Sequence, residues 1–340
     1  IKVLHTPGHT MESTTYLLRD ENDKDYAIFS GDTLFLGDVG RPDLAQKSAD
    51  MTQEQLAGTL FDSLRTKIMP LSDDVIVYPA HGAGSACGKN MMKETVDSLG
   101  NQKKMNYALR ADMTKEEFIK EVTDGLLPPP KYFPLNVKMN KEGYEDIGEV
   151  LNRGNVELSP DEFEKAANDT EALVLDVRHQ DEYVKGHIPR SIFIGLNGDF
   201  APWVGDLIAD TKQPLLLVVP EGKEEEAITR LSRVGFDAAI GYLKGGIDAW
   251  KAAGKEIDQI NSITASEAKT LIDKGNAVFD VRKDGEYQSE HLVGAVHTPL
   301  SELNKHLGEF PEKGEFLVHC AGGYRSVIAS SILKSRGIHN

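Results

Sequence analysis

Leu173-Val-Leu-Asp-Val-Arg178 is followed by Glu182-Tyr183 and then His187; Ala277-Val-Phe-Asp-Val-Arg282 is followed by Glu286-Tyr287 and then His291. Asp176 and Asp280, Arg178 and Arg282, and His187 and His291 each stand 104 positions apart. A repeat of that period marks two tandem domains, not solenoid units of about 20–50 residues. Each copy opens on a similar helix start, Ser159-Pro-Asp-Glu162 or Thr264-Ala-Ser-Glu267, with residues suited to cap a first turn. Strand-like and helix-like runs then alternate, which predicts an α/β domain with a mostly parallel sheet in each copy. Gly254 to Ser262 reads as the linker between them.

Past the shared stretch the copies part. The second runs through a strand, Phe316-Leu-Val-His319, into Cys320-Ala-Gly-Gly-Tyr-Arg325 and a helical run from Val327 to Arg336. A cysteine at such a turn sits at a helix N-terminus, where the macrodipole and free N–H groups favour a thiolate. Gly322 and Gly323 are expected to let the loop curl so that its amides form an anion-binding nest, and Arg325 adds a fixed positive charge. The first copy has Leu215-Leu-Leu-Val-Val219 followed by Pro220-Glu-Gly-Lys-Glu-Glu225, with Pro220 near the cysteine position and Glu221, Glu224, Glu225 and Glu226 crowding the loop. Cysteine chemistry therefore belongs to the second copy. Asp176, Asp280, His187 and His291 read as structural: an Asp-Val-Arg after a buried strand fixes the next loop, and the first copy keeps its His without a nucleophile.

The chain has 340 residues, enough for two to three domains. Its net charge of −16 argues against nucleic acid or an anionic membrane as partner. Apolar runs are too short for a bilayer span, two cysteines make no disulfide framework, and a thiol on a glycine loop suits a reducing compartment. A cytoplasmic protein is expected, with homo-oligomers allowed. Ile1 opens inside a strand-like run, so the natural N-terminus is expected upstream. By internal comparison the second copy lacks a last strand and helix.

The second copy and its loop resemble the rhodanese family. The Asp-Val-Arg, Glu-Tyr and His positions of residues 155–258 and 259–340 match its pattern, and Cys320-Ala-Gly-Gly-Tyr-Arg325 resembles its catalytic loop. Tyrosine phosphatases place the Arg one position later; the shorter ring here suits a single outer sulfur. The resemblance implies that Cys320 takes a sulfane sulfur as a persulfide and hands it to a nucleophile. The amides of Ala321, Gly322, Gly323, Tyr324 and Arg325 would hold that sulfur, which would move between thiosulfate or sulfite and glutathione.

Residues 1–154 are expected to form a first domain. Tyr26-Ala-Ile-Phe29 and Val75-Ile-Val-Tyr78 read as buried strands, Thr52 to Ile68 as an amphipathic helix, and Thr114 with Glu117 as a capping box whose helix stops at Leu127-Pro-Pro-Pro130. Residues 131–155 read as that domain's C-terminal extension. Three turns carry metal-ligand types: His5-Thr-Pro-Gly-His9, Ser30-Gly-Asp32 and Pro79-Ala-His81. Convergence of such side chains from strand ends could hold one ion. These motifs resemble the second half of a metallo-β-lactamase αββα sandwich, with His9, Asp32 and His81 at metal-binding positions and His5 behind them. The paired-His motif of that family is absent, as in a chain that begins midway through the domain.

Two histidines and a carboxylate leave iron and zinc both open. Gly37-Asp-Val-Gly-Arg41-Pro-Asp-Leu44 and Gly82-Ala-Gly-Ser-Ala-Cys-Gly88 resemble the persulfide dioxygenase branch fused to rhodanese domains. That resemblance implies one Fe(II) per chain on His9, Asp32 and an upstream third ligand, with O₂ and glutathione persulfide as substrates and sulfite and glutathione as products. Arg41 becomes a candidate for a glutathione carboxylate, against the simpler reading of a loop Arg paired with Asp43. Cys87 reads as packing or second-sphere. Two alternatives stand beside this one: a dizinc thioester hydrolase of the glyoxalase II type, and a sulfur-carrier or docking protein. The first repeat is expected to space or orient the other two domains.

Overall fold

The computed structural model describes residues 1–339 except Gly84, Ala86, Leu127 and Pro128, and describes Lys47 and Ser48 by backbone alone. The chain divides into two compact units, Ile1–Pro129 and Pro130–Asn340. Among the described residues no helix is long and apolar enough to cross a membrane.

The first unit is built on a five-stranded sheet in the order Lys2–His5, Thr14–Arg19, Asp25–Gly31, Ile76–Pro79, Asp97–Ser98. The two strands expected from their apolar runs form its centre. They pair in parallel, Phe29 beside Tyr78 and Gly31 beside Pro79. Parallel strands end at the same edge, so the turns carrying Asp32 and His81 leave the sheet side by side. The run from Thr52 is helical as expected, with a capping box at Thr52 and Gln55. It is α-helical only over Gln53–Ser63 and widens to a π-turn over Leu64–Ile68. Leu56, Leu60, Leu64 and Ile68 are fully buried along its inner face. The Thr114–Glu117 capping box starts the helix Lys115–Thr123, and Phe118 packs edge-on against Phe61, ring centres 5.4 Å apart. Asp124 leaves that helix in an extended conformation, before the expected proline stop, of which Leu127 and Pro128 lie outside the described residues.

In the second unit both repeats are parallel α/β sheets, as their alternating pattern predicted. The first orders its strands Glu157–Leu158, Ala239–Leu243, Leu215–Val218, Leu173–Asp176, Ile192–Phe193, every pairing parallel. The second has three, Val296–His297, Val278–Asp280 and Leu317–His319, also parallel. Both expected helix starts are capping boxes, Ser159 with Glu162 and Thr264 with Glu267. The repeats share one apolar core that contains Phe193, Phe200, Trp203 and Leu217 of the first and Phe279, Val281, Ile328 and Leu333 of the second. A polar seam accompanies it: Phe193 N–H donates to Ser331 Oγ at 3.0 Å, and Tyr324 O–H donates to Gly195 O at 2.7 Å.

One expectation needs correction. Residues 131–154 do not extend the first domain, so the boundary lies at Pro129–Pro130, not at residue 154. Their helices Phe133–Glu142 and Ile147–Gly154 join the second unit because their apolar faces find partners there. Val150 is buried in the shared core, Gly154 abuts Ala239 and Ile228, and Arg153 Nη2 donates to Asp237 O at 2.7 Å. Propensity and caps predicted helices but held no information about which sheet they cover.

Val150→Ala should therefore cost the second unit about 2 kcal/mol, near the low end for a buried aliphatic truncation. Both tryptophans, Trp203 and Trp250, lie in that unit, so the shift appears in denaturant unfolding followed by tryptophan fluorescence. An unmoved transition would return residues 131–154 to the first unit.

Candidate functional site

The Asp-Val-Arg stretch builds the same clasp in both repeats. Arg178 donates through Nε and Nη2 to the Asp176 carboxylate and through Nη2 to Gly186 O at 2.9 Å. Arg282 repeats this with Asp280 and with Glu290 O at 2.7 Å. His187 Nδ1 bonds Tyr183 O at 2.9 Å and His291 Nδ1 bonds Tyr287 O at 2.8 Å, each ring stacked on its tyrosine. Identical geometry with and without a cysteine assigns these groups to loop closure.

Cys320 leaves the strand Leu317–His319 and precedes the twelve-residue helix Tyr324–Ser335. No side chain among the described residues caps that helix, so its first N–H groups remain for an anion. The thiol is half-buried, with Sγ 3.6 Å from Ser326 Oγ, which itself donates to Gly323 O. Arg325 lines the same cavity as Cys320, and its guanidinium donates to both Glu286 oxygens at 2.6 and 2.8 Å. The guanidinium holds Glu286 far below the usual carboxylate range, at about 2, so the pair stays charged and Arg325 stays in place. The two loop glycines differ. Gly323 sits at φ +86, where only glycine is at ease. Gly322 has an ordinary φ, and a Cβ added there would meet nothing within 4 Å, so its absent side chain leaves space over the thiol.

The sheet register locates the lost nucleophile of the first repeat. Asp280 pairs with His319 as Asp176 pairs with Val218, so Cys320 corresponds to Val219, one residue before the Pro220 expected from sequence. Val219 is buried in the core, and the next helix, Glu224–Ser232, begins on three glutamates. An apolar residue and an acidic first turn stand where the second repeat has a thiol and an open anion site.

The cavity over Cys320, about 480 Å³, is lined from both repeats. Asn197, Asp199 and Trp203 of the first face it together with Lys283, Glu286 and Arg325 of the second. Asn197, Asp199, Trp203 and Lys283 were not singled out in the sequence, because their approach to Cys320 depends on the packing of one repeat on the other. For the same reason the first repeat is a wall of the site and not only a spacer.

In the first unit the three metal-ligand turns do converge. His9 Nε2 is 3.6 Å from Asp32 Oδ2, and His81 Nε2 is 3.1 Å from Asp32 Oδ1. His9 is buried and its Nδ1 lies 2.9 Å from Arg41 O, an outer contact that turns Nε2 inward. Asp32 Oδ1 is shielded from solvent yet receives no hydrogen bond from the described residues, His81 Nε2 being out of line for one. A shielded, unsatisfied carboxylate oxygen facing two imidazole nitrogens fits a bound cation. Cys87, set aside in the sequence, adds a thiol: ligand atoms of Asp32, His81 and Cys87 all lie within 4.8 Å of one another. Burial pushes that thiol's pKa up, and Asp32 adds to the shift. His5 stays outside the cluster, its Nε2 on Met11 O at 2.7 Å.

Two loops hold this cluster. Asp38 accepts from Lys89 N and Asn90 N, and Arg41 N–H donates to Cys87 O at 3.0 Å. A Cβ at Gly40 would collide with Asp32 O, so this glycine lets the first loop lie on the ligands. Arg41 is buried and grips Asp43 through Nε and Nη2, both at 2.7 Å. The local ion pair weighed in the sequence is thus formed, and the backbone carbonyl of Arg41 contacts His9.

The rhodanese-like domain family matches residues 159–253 and 264–340. The chain is 36% identical over 88 residues to hydroxyacylglutathione hydrolase GloC of Haemophilus influenzae, covering 26% of this chain and 36% of that protein. It is 30% identical over 135 residues to the mitochondrial persulfide dioxygenase ETHE1 of Mus musculus, covering 40% of this chain and 44% of that protein. It thus spans well under two thirds of these relatives. A solved metallo-β-lactamase from Staphylococcus aureus superposes with a TM-score of 0.59 at 31% identity, over 71% of this chain and 66% of that one. The architecture is accordingly a metallo-β-lactamase fold and rhodanese domains, α/β with parallel sheets, and the first implies a metal ion.

Gly323→Ala should cost about 1 kcal/mol through backbone strain alone. Gly322→Ala should stay within about 0.5 kcal/mol of the parent. Urea denaturation of the two variants checks this, and equal costs would contradict the division of roles between the glycines.

Proposed function

The chain belongs to the rhodanese-like domain family, matched over both repeats, and on that premise we propose that it is a two-centre enzyme of sulfur metabolism. Cys320 carries a sulfane sulfur from thiosulfate to a thiol, and the His9–Asp32 centre oxidises glutathione persulfide to sulfite and glutathione. The setting of Cys320 carries this reading: a thiol at an uncapped helix start, beside an Arg325 that Glu286 holds in place.

The transfer follows from that setting. The uncapped helix start and the guanidinium are groups suited to an anion bound beside Cys320. The thiolate attacks the outer sulfur of thiosulfate; an Sγ–S bond forms, the S–S bond of thiosulfate breaks, and sulfite leaves with the electron pair. The amides of Ala321 to Arg325 are suited to the anionic outer sulfur of the resulting persulfide. An acceptor thiolate then takes that sulfur as its own persulfide and returns the Cys320 thiolate.

At the other centre His9 and Asp32 would hold iron, His9 presenting Nε2 because Nδ1 is committed to Arg41 O. Bound iron would supply O₂ binding and activation beside the substrate sulfur, in the reaction of a persulfide, O₂ and water to a thiol and sulfite. The likeness to persulfide dioxygenase ETHE1 supports this choice. A dizinc thioester hydrolase is the competing reading, favoured by the nearness of His81 to Asp32 and by the likeness to GloC.

Cys320→Ser should reduce thiosulfate-to-thiol transfer to background in a thiocyanate or persulfide assay; surviving activity would remove Cys320 from its role. Metal analysis of the full-length protein separates the two readings of the other centre. About one iron per chain with O₂ uptake on adding glutathione persulfide supports oxidation, whereas about two zinc ions with thioester cleavage and no O₂ uptake sinks it.

A further inference from the structure

We infer that the first repeat, which carries no nucleophile, supplies a specificity residue to the Cys320 site: Asp199 receives the ammonium of the acceptor thiol, while Lys283 of the second repeat receives its carboxylate. The inference rests on Cys320 being the sulfur carrier.

Size comes first. At about 30 Å³ per heavy atom, as in liquid water, the five heavy atoms of thiosulfate fill roughly 150 Å³. The cavity holds about 480 Å³, space for a ligand several times larger and within the range of organic-ligand pockets. The donor alone does not account for it.

Charge comes second. Glu286 and Arg325 neutralise each other through their two hydrogen bonds. Two charged side chains remain on the lining, and they are of opposite sign. Asp199 precedes the helix Phe200–Leu207 without capping it, and among the described residues its carboxylate makes no hydrogen bond or ion pair. Lys283 Nζ likewise makes no ion pair among the described residues, although Glu286 lies three positions on. A site built only for a dianion would show an excess of positive charge. One open carboxylate and one open ammonium, contributed by different repeats, complement an ammonium and a carboxylate on a single ligand. The indole of Trp203 adds an apolar wall for the carbon chain between them.

The test compares acceptors on the full chain charged with thiosulfate. Glutathione carries both charges, N-acetylglutathione lacks the ammonium, and 2-mercaptoethanol carries neither. We expect kcat/KM for glutathione to exceed that for N-acetylglutathione by roughly tenfold, the scale of one charge-assisted hydrogen bond. Asp199→Asn should abolish that discrimination, and Lys283→Met should lower the glutathione-to-mercaptoethanol ratio by a similar factor. The wild-type comparison of acceptors stands even if a variant fails to fold. Equal kcat/KM for the three thiols, after correction for their thiolate fractions, overturns the inference while leaving Cys320 as carrier. Discrimination that survives Asp199→Asn overturns the part given to the first repeat. No transfer to any acceptor, cyanide included, would instead defeat the carrier role itself.

Discussion

The seam between the two repeats is the contact on which the cysteine site depends. The second repeat buries Ile328 and Leu333 of its cysteine-bearing helix in a core shared with Phe193 and Leu217 of the first. Tyr324, inside the loop itself, is tied to Gly195 across the seam. The helix start beside Cys320 is thus packed against a domain that carries no nucleophile. Without a thiol of its own, the first repeat still completes the neighbouring core and one wall of its cavity.

Much of this was legible in the residues. The constant offset of the Asp-Val-Arg clasps pointed to the two parallel sheets, since the motif must lie where a buried strand turns into a loop and its carboxylate must meet an adjacent guanidinium. The Cys320 loop was legible because its parts are contiguous: strand, thiol, glycines, arginine, helix. Gly322 was misjudged within that pattern. Composition shows that a glycine is present, but not whether backbone conformation or free space requires it.

The centre of the first unit was legible by type and not by geometry. His9, Asp32 and His81 stood out as ligand residues at strand ends, and the parallel pairing of Asp25–Gly31 with Ile76–Pro79 brings two of them together. The nearness of Cys87 is a product of two loops stitched by Asp38, Lys89 and Asn90. Such contacts join residues about fifty positions apart, beyond the reach of any local pattern.

The amino-acid sequence by itself determined the repeat, its α/β character, the capping boxes and the strand–thiol–glycine–helix order around Cys320, because each follows from periodicity or chemistry within a few residues. Tertiary structure alone decided that residues 131–154 cover the second unit, that Val219 fills the lost cysteine's place, and that Asp199, Trp203 and Lys283 surround Cys320. Those outcomes depend on which apolar faces meet. Burial is non-directional and roughly proportional to area, so a sequence shows that a face must be covered without showing by what.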